Sequence, residues 1–194
     1  MQHHRHAGLA GRLPAGASTL VPHDDATRRD ARMAWFPIAT PDGRDVDALE
    51  GLLCVPTRAG AMRIVAVPHV VERLALGDEV AVADWDGEPL ARGELALALA
   101  GTVRAVAADA EHDWRWLARR IDEAAGGAGS CWFDAIGDHA VAASVPRPAI
   151  AGVLEQLGAD AAAGALRFEY ATLDRHDETA GERAQAGHVP PAAN

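Results

Sequence analysis

The chain has 194 residues, of which 49% are hydrophobic and 24% charged, and its formal net charge is −10. This balance predicts one large domain or two small ones and excludes a chain that is disordered throughout. All 18 basic residues are arginine, which excludes a Schiff-base lysine, a Walker lysine and a lysine general base. The acidic balance argues against a nucleic-acid partner, whose phosphates require clustered cations, and favours a basic partner surface.

The sequence carries no sign of secretion or of a membrane anchor. No apolar run approaches the length of a membrane span, and the N-terminus lacks a basic-then-apolar signal pattern. We therefore expect a cytoplasmic protein that does not engage a membrane. Cys54 and Cys131 match no CxxC or metal-ligand spacing and are expected to be buried thiols.

The two ends of the chain show no helical or strand period. Residues 1–32 are rich in Gly, Pro, His and Arg and predict a disordered leader, and residues 174–194 predict a disordered tail. His3, His4 and His6 lie in the leader without a carboxylate or cysteine ligand at a useful spacing. No metal and no cofactor are expected.

Residues 33–100 predict a small β-rich domain. Short apolar runs at 34–38, 49–55, 62–67, 79–83 and 89–97 are separated by turn signals, of which Asp84-Trp85-Asp86-Gly87 is the tightest. Five short strands at this spacing favour a strongly curved sheet or a partial barrel.

Residues 101–173 alternate between strand and helix patterns. The runs 102–107, 131–136, 139–145 and 166–171 predict strands. Residues 112–125 and the segment after Pro148 carry apolar stripes at helical spacing, with Asp109 as a candidate N-cap of the first helix. The order strand, helix, strand, strand, helix, strand is that of a ferredoxin-like domain. The expected fold class is therefore α+β.

Several short motifs resemble an uncharacterised bacterial family, the DUF4265-like domains of unknown function. The motifs are Trp35-Phe36, Glu50, residues 76–80 and 101–104, Val141 to Pro146 and Phe168-Glu169-Tyr170, and the likeness covers residues 33–173. Two departures are His69-Val70 in place of an aromatic pair, and Leu99 and Ala100 in place of a serine and a histidine. The resemblance implies an architecture and no established activity.

Acidic residues gather between the third and fifth predicted strands, with no arginine among them. One interpretation is a surface that holds a cation or receives arginines from a partner. The other is that Asp78 and Asp86 serve turns beside Gly77 and Gly87 while the remaining residues face solvent. Their spacing does not match a calcium loop. The residues are Asp78, Glu79, Asp84, Asp86 and Glu88.

Two further groups have a functional and a structural interpretation. Trp116 should project from the stripe that holds Trp114, and with Arg119 and Arg120 it has the composition of an interface hot spot, or else it packs against the N-terminal sheet. The cluster Asp134, Asp138 and His139 fits acid–base chemistry, but Asp and Gly also belong in a hairpin turn on backbone grounds alone.

No catalytic motif is present, so the first hypothesis is a non-enzymatic binding protein with a protein partner. Its most concrete version is an immunity-type neutraliser of a basic toxin. The alternatives are a small-ligand sensor with a pocket between the lobes, and a hydrolase-like enzyme that uses Asp134, Asp138 and His139.

Overall fold

The computed structural model describes residues 2–5, 9–14, 17, 19–22, 24–39, 46–127 and 129–172. The predicted tail, 174–194, lies outside these residues. Within them the fold is mixed α and β, mostly strands, with three helices and two mainly antiparallel sheets. The strands are β1 (Gln2–Arg5), β2 (Gly11–Arg12), β3 (Val21–Pro22), β4 (Arg32–Ala39), β5 (Val46–Arg58), β6 (Ala61–Ile64), β7 (Glu79–Trp85), β8 (Glu88–Ala96), β9 (Ala100–Ala107), β10 (Trp132–Ile136), β11 (Ala140–Pro146) and β12 (Leu166–Tyr170). The helices are α1 (Asp25–Asp30), α2 (Trp114–Ala124) and α3 (Ile150–Ala162).

The first sheet builds an N-terminal lobe in which β4 to β8 pair in a ring. Four successive antiparallel pairs run from β4 to β8, and a single parallel residue pair, Trp35 with Leu90, joins β8 back to β4. Alternate residues of these strands point inward, so that Phe36, Leu52 and Ile64 form the centre of the core. All five strands predicted between residues 33 and 100 are present.

The second sheet builds a C-terminal lobe from β12, β9, β11 and β10, in that spatial order and all antiparallel. Both amphipathic helices cover one face of this sheet, where Leu117 and Ile121 of α2 and Val153 and Leu157 of α3 are fully buried. Alternation along the strands places the side chains of Val103, Phe133 and Val145 on that same face.

The helix α2, the first of the C-terminal lobe, starts later than predicted. Asp113, and not Asp109, is the N-cap of α2, because its carboxylate accepts the backbone N–H groups of Arg115 and Trp116 at 2.9 and 3.1 Å. Asp109 instead closes the preceding turn by accepting the N–H groups of Glu111 and His112.

The described residues of the leader form ordered elements, in contrast to the disordered leader that composition predicts. The strand β1 pairs in parallel with residues 48–51 of β5, and β2 adds to the free edge of β10. Leu13 is buried in the C-terminal core, and Ala10 is buried between the lobes. The strands β1 and β2 can form without alternating apolar residues, because the open edges of β5 and β10 supply their backbone hydrogen-bond partners.

The lobes meet at the loop of residues 68–74. The fully buried carboxylate of Glu50 accepts the backbone N–H groups of His69, Val70 and Val71 at 2.6 to 3.2 Å. From the other lobe, the guanidinium of Arg104 donates to the carbonyl oxygens of Pro68 and Val71 at 3.3 and 2.6 Å. The loop is therefore held by a carboxylate on one side and by a guanidinium on the other.

Candidate functional site

The structure separates the acidic residues that the sequence groups together. Asp78 is fully buried, and its carboxylate accepts the backbone N–H groups of Ala75 and Ala98 at 2.8 and 2.7 Å. Asp78 therefore shapes the turn before β7 and has no part in an exposed surface. Glu79 lies 3.1 Å from the guanidinium of Arg58 on the surface of the ring.

The exposed acidic residues are at the tip of the β7–β8 hairpin. Asp86 and Gly87 form its two-residue turn with φ angles of +56° and +84°, the conformation that an Asp-Gly turn favours. Asp84 accepts the backbone N–H of Gly87 at 3.4 Å. Trp85, between them in the sequence, is 36% exposed. The hairpin tip thus carries one exposed indole and two exposed carboxylates.

The outer face of the ring carries an aromatic surface next to this tip. Trp35 packs there against Leu49 and Leu90, and its indole N–H donates to the carboxylate of Glu88. Gly51 lies directly opposite Trp35, and a Cβ at Gly51 would come within 3.0 Å of the indole ring. The missing side chain at Gly51 therefore leaves room for the indole of Trp35 beside β5. We call Trp35, Leu49, Trp85, Glu88 and Leu90 the aromatic face.

The imidazole of His3 covers the aromatic face. It lies opposite Leu49 in the β1–β5 pair, and its ring centroid is 5.0 Å from that of Trp35 and 6.1 Å from that of Trp85. Two indoles beside a carboxylate form an environment that attracts a cationic group, because the π faces and the negative charge act together. The aromatic face can therefore bind a cationic side chain non-covalently.

The second predicted surface, around α2, is largely engaged within its own lobe. Trp116 is half-buried against the C-terminal core and its ring lies 4.2 Å from that of His112, so it does not pack on the N-terminal sheet. Arg120 makes a bidentate pair with Asp160 of α3 at 2.7 and 3.0 Å, which holds the pKa of that aspartate below its usual range. Arg119 remains exposed.

The predicted acid–base cluster is not assembled. Asp134 lies on the sheet face opposite the helices, where its carboxylate is 3.2 Å from Nε2 of His69. His139 is exposed on the other side, and its Nδ1 lies 2.9 Å from the carbonyl oxygen of His112. Asp138 is exposed and uses its backbone carbonyl to accept the N–H of Trp114. The three residues therefore do not share a reaction centre.

The loop of residues 68–74 borders two cavities. One, of about 400 Å³, is lined by residues of the C-terminal lobe, among them Arg104 and Arg167, and by His69 of the loop. The other, of about 470 Å³, opens where β8 diverges from β4 and is lined in part by Phe36 and Glu94. In the parts of the chain that the structure describes, no three potential metal ligands cluster together, and no helix is long and apolar enough to cross a membrane.

The sequence does not assign Trp35, His3, Glu50 or His69 to a functional site. The pair Trp35 and Gly51 gives no local signal, because the two residues meet only through strand register. Glu50 was visible through the family resemblance, as a glutamate before an apolar strand, but its burial beneath residues 69–71 was not. The sequence places His3 only beside His4 and His6 in the leader, and His69 only as a departure from the family's aromatic pair.

No protein-family model matches this chain, and no curated protein is similar to it. Among solved structures, the chain is similar to a hypothetical protein from Neisseria gonorrhoeae, with a TM-score of 0.62 and 19% sequence identity. The alignment covers 74% of this chain and 95% of that one. At this identity the likeness shows the fold alone, and the DUF4265-like resemblance stays a prediction.

Proposed function

We propose that this chain is a non-enzymatic cytoplasmic binding protein that engages a basic protein partner through the tip of the β7–β8 hairpin. The observation that carries the proposal is the exposure of Trp85, Asp84 and Asp86 together on one hairpin tip. An exposed aromatic residue and carboxylates on one hairpin suit an arginine-bearing partner, because the ring supplies contact area and the carboxylates supply charge. The net charge of −10 speaks for a basic partner and against nucleic acid.

The architecture supports a binding role. The strand order β12-β9-β11-β10, with both helices on one face, is consistent with the ferredoxin-like plan that we propose for residues 101–172. The separation of Asp134 from His139 removes the support for a hydrolase-like enzyme. An immunity-type neutraliser of a basic toxin is the most specific form of the proposal, since neutralisation requires charge and shape without catalysis.

Affinity capture with the full chain tests this function. Wild type and an Asp84→Asn/Asp86→Asn variant are compared as bait in native lysate, with Glu111→Gln/Glu123→Gln as a control of equal charge on the other lobe. We expect a stoichiometric basic protein with wild type and the control, and its loss with the hairpin variant. A partner that binds all three baits equally contradicts the proposal.

A small-ligand sensor is the second candidate. The cavity of about 400 Å³ beside His69 combines apolar Val106 and Ile136 with the basic groups of Arg104 and Arg167. Such a mixture favours a small ligand with an acidic group. Mass spectrometry of what the purified chain releases on denaturation tests this, and a stoichiometric acidic small molecule is the expected result.

A further inference from the structure

We propose that the aromatic face is a recognition site for a cationic side chain carried on an extended segment, and that the chain's own first strand occupies this site. The inference rests on the proposed function and deepens it, because it names the type of segment that a basic partner would present. It also makes the leader a competitor of that partner.

The backbone geometry provides the first argument. β4 covers one edge of β5 along residues 46–54, and β6 covers the other edge only along residues 54–58. Residues 48–51 therefore keep an open edge, which β1 fills in parallel orientation. Strand addition of this kind uses backbone hydrogen bonds that any extended segment can offer.

The side chains provide the second argument. The imidazole of His3 lies over Trp35 and beside Trp85, where the carboxylate of Glu88 is bonded to the indole N–H of Trp35. A guanidinium at this position gains a cation–π contact with the indoles and, because its charge is permanent, an attraction to the nearby carboxylate. The site therefore favours arginine over the histidine that fills it.

The covalent link makes the leader an effective competitor. A tethered segment faces its site at a local concentration in the millimolar range, so a free segment binds wild type more weakly than it binds a chain whose leader cannot dock. Replacing His3 by aspartate removes the ring and places a negative charge next to Glu88, which disfavours the docked leader.

Fluorescence anisotropy of a labelled peptide tests the proposal on the full chain. The probe is the hexapeptide MQRHRH, which copies residues 1–6 with arginine at the third position, and its neutral counterpart is MQQHQH, both at pH 7.5. We expect His3→Asp to bind the arginine probe at least tenfold more tightly than wild type, and at least tenfold more tightly than it binds the neutral probe.

Variants at Trp85 and Leu99 locate the site. In the His3→Asp background, Trp85→Ala should weaken binding of the arginine probe at least tenfold, whereas Trp85→Phe should retain part of it because the π face remains. Leu99→Ala is the control, since this leucine is 74% exposed and lies outside the aromatic face. Circular dichroism verifies that each variant is folded.

Equal affinity of wild type and His3→Asp for the arginine probe overturns the competition, and indifference to Trp85→Ala overturns the site. The two proposals fail separately. If the probe binds as expected but no captured partner depends on Asp84 and Asp86, the function is wrong and the site stands. If a partner depends on those carboxylates but the probe ignores Trp85, the inference alone is wrong.

Discussion

The carboxylate of Glu50 accepts the backbone N–H of Val71 at 2.6 Å, across 21 positions of the chain. The same buried carboxylate accepts the N–H of His69, so it fixes the loop at which the lobes meet. A glutamine at this position offers one acceptor oxygen and directs an NH₂ group at backbone donors. We expect Glu50→Gln to lower the free energy of unfolding by about 3 kcal/mol. Urea denaturation measures this, with the exposed Glu123→Gln as a control that should change stability by less than about 0.5 kcal/mol.

Gly51 gives a matched pair of substitutions with Gly93. A Cβ at Gly51 would lie 2.7 Å from the sulfur of Met33 and 3.0 Å from the ring of Trp35, whereas a Cβ at Gly93 would meet nothing within 4 Å. We expect Gly51→Ala to cost about 1 to 3 kcal/mol through overpacking and to shift the Trp35 emission. Gly93→Ala should leave both properties near those of wild type. Equal stabilities of the two variants in denaturant would contradict this account of the aromatic face.

The ion pair of Arg120 and Asp160 predicts an acid-dependent coupling between the two helices. The guanidinium lowers the pKa of Asp160, so this carboxylate stabilises the fold above its unfolded pKa of about 3.9, and the contribution is lost as the pH falls through the lower folded pKa. The side chain of Arg120 is 32% exposed, and we expect a coupling energy of about 1 kcal/mol after solvent screening. A double-mutant cycle with Arg120→Gln and Asp160→Asn should give this value at pH 7 and a smaller one below pH 3.9. A coupling that does not change with pH would be the contrary outcome.

Both cysteines should be unreactive in the folded chain. Burial raises the pKa of Cys54 and of Cys131 to about 12, from a usual value of 9.0. The protonated thiols therefore stabilise the fold below pH 9.0, and this contribution decreases as the pH rises toward 12. We expect a disulfide reagent at pH 8 to modify neither residue until urea unfolds the chain. Rapid labelling of either thiol under native conditions would show that its surroundings open.

Side-chain periodicity was enough to place most of the strands and two of the helices. The stripe of Leu117 and Ile121 and that of Val153 and Leu157 both lie in the C-terminal core, because helical spacing brings such residues onto one face. The hairpin at Asp86 and Gly87 was predictable for a similar local reason, since few residues adopt positive φ angles readily.

Relationships that depend on register or on backbone pairing were not predictable. Asp134 and His139 are close in sequence, but alternation along β10 turns the aspartate to the face opposite the helices. The β1 strand has no side-chain pattern, because its pairing uses the backbone edge of β5. The sequence predicts Asp78 either in an acidic surface or in the turn beside Gly77, and the structure supports the turn. Its N–H partner Ala98, 20 positions away, was not predictable.

The position of Arg104 determines what happens when the chain is divided between its two lobes. Arg104 belongs to β9, and its guanidinium donates hydrogen bonds to the carbonyl oxygens of Pro68 and Val71 in the loop. From the same strand, the hydroxyl of Thr102 donates to the carbonyl oxygen of Leu74 at 2.8 Å. A fragment that stops at residue 100 would contain the whole ring and leave these three carbonyl groups without their donors. The N-terminal ring therefore depends on the C-terminal lobe for its stability, and we expect the excised ring to have a melting temperature well below that of the intact chain.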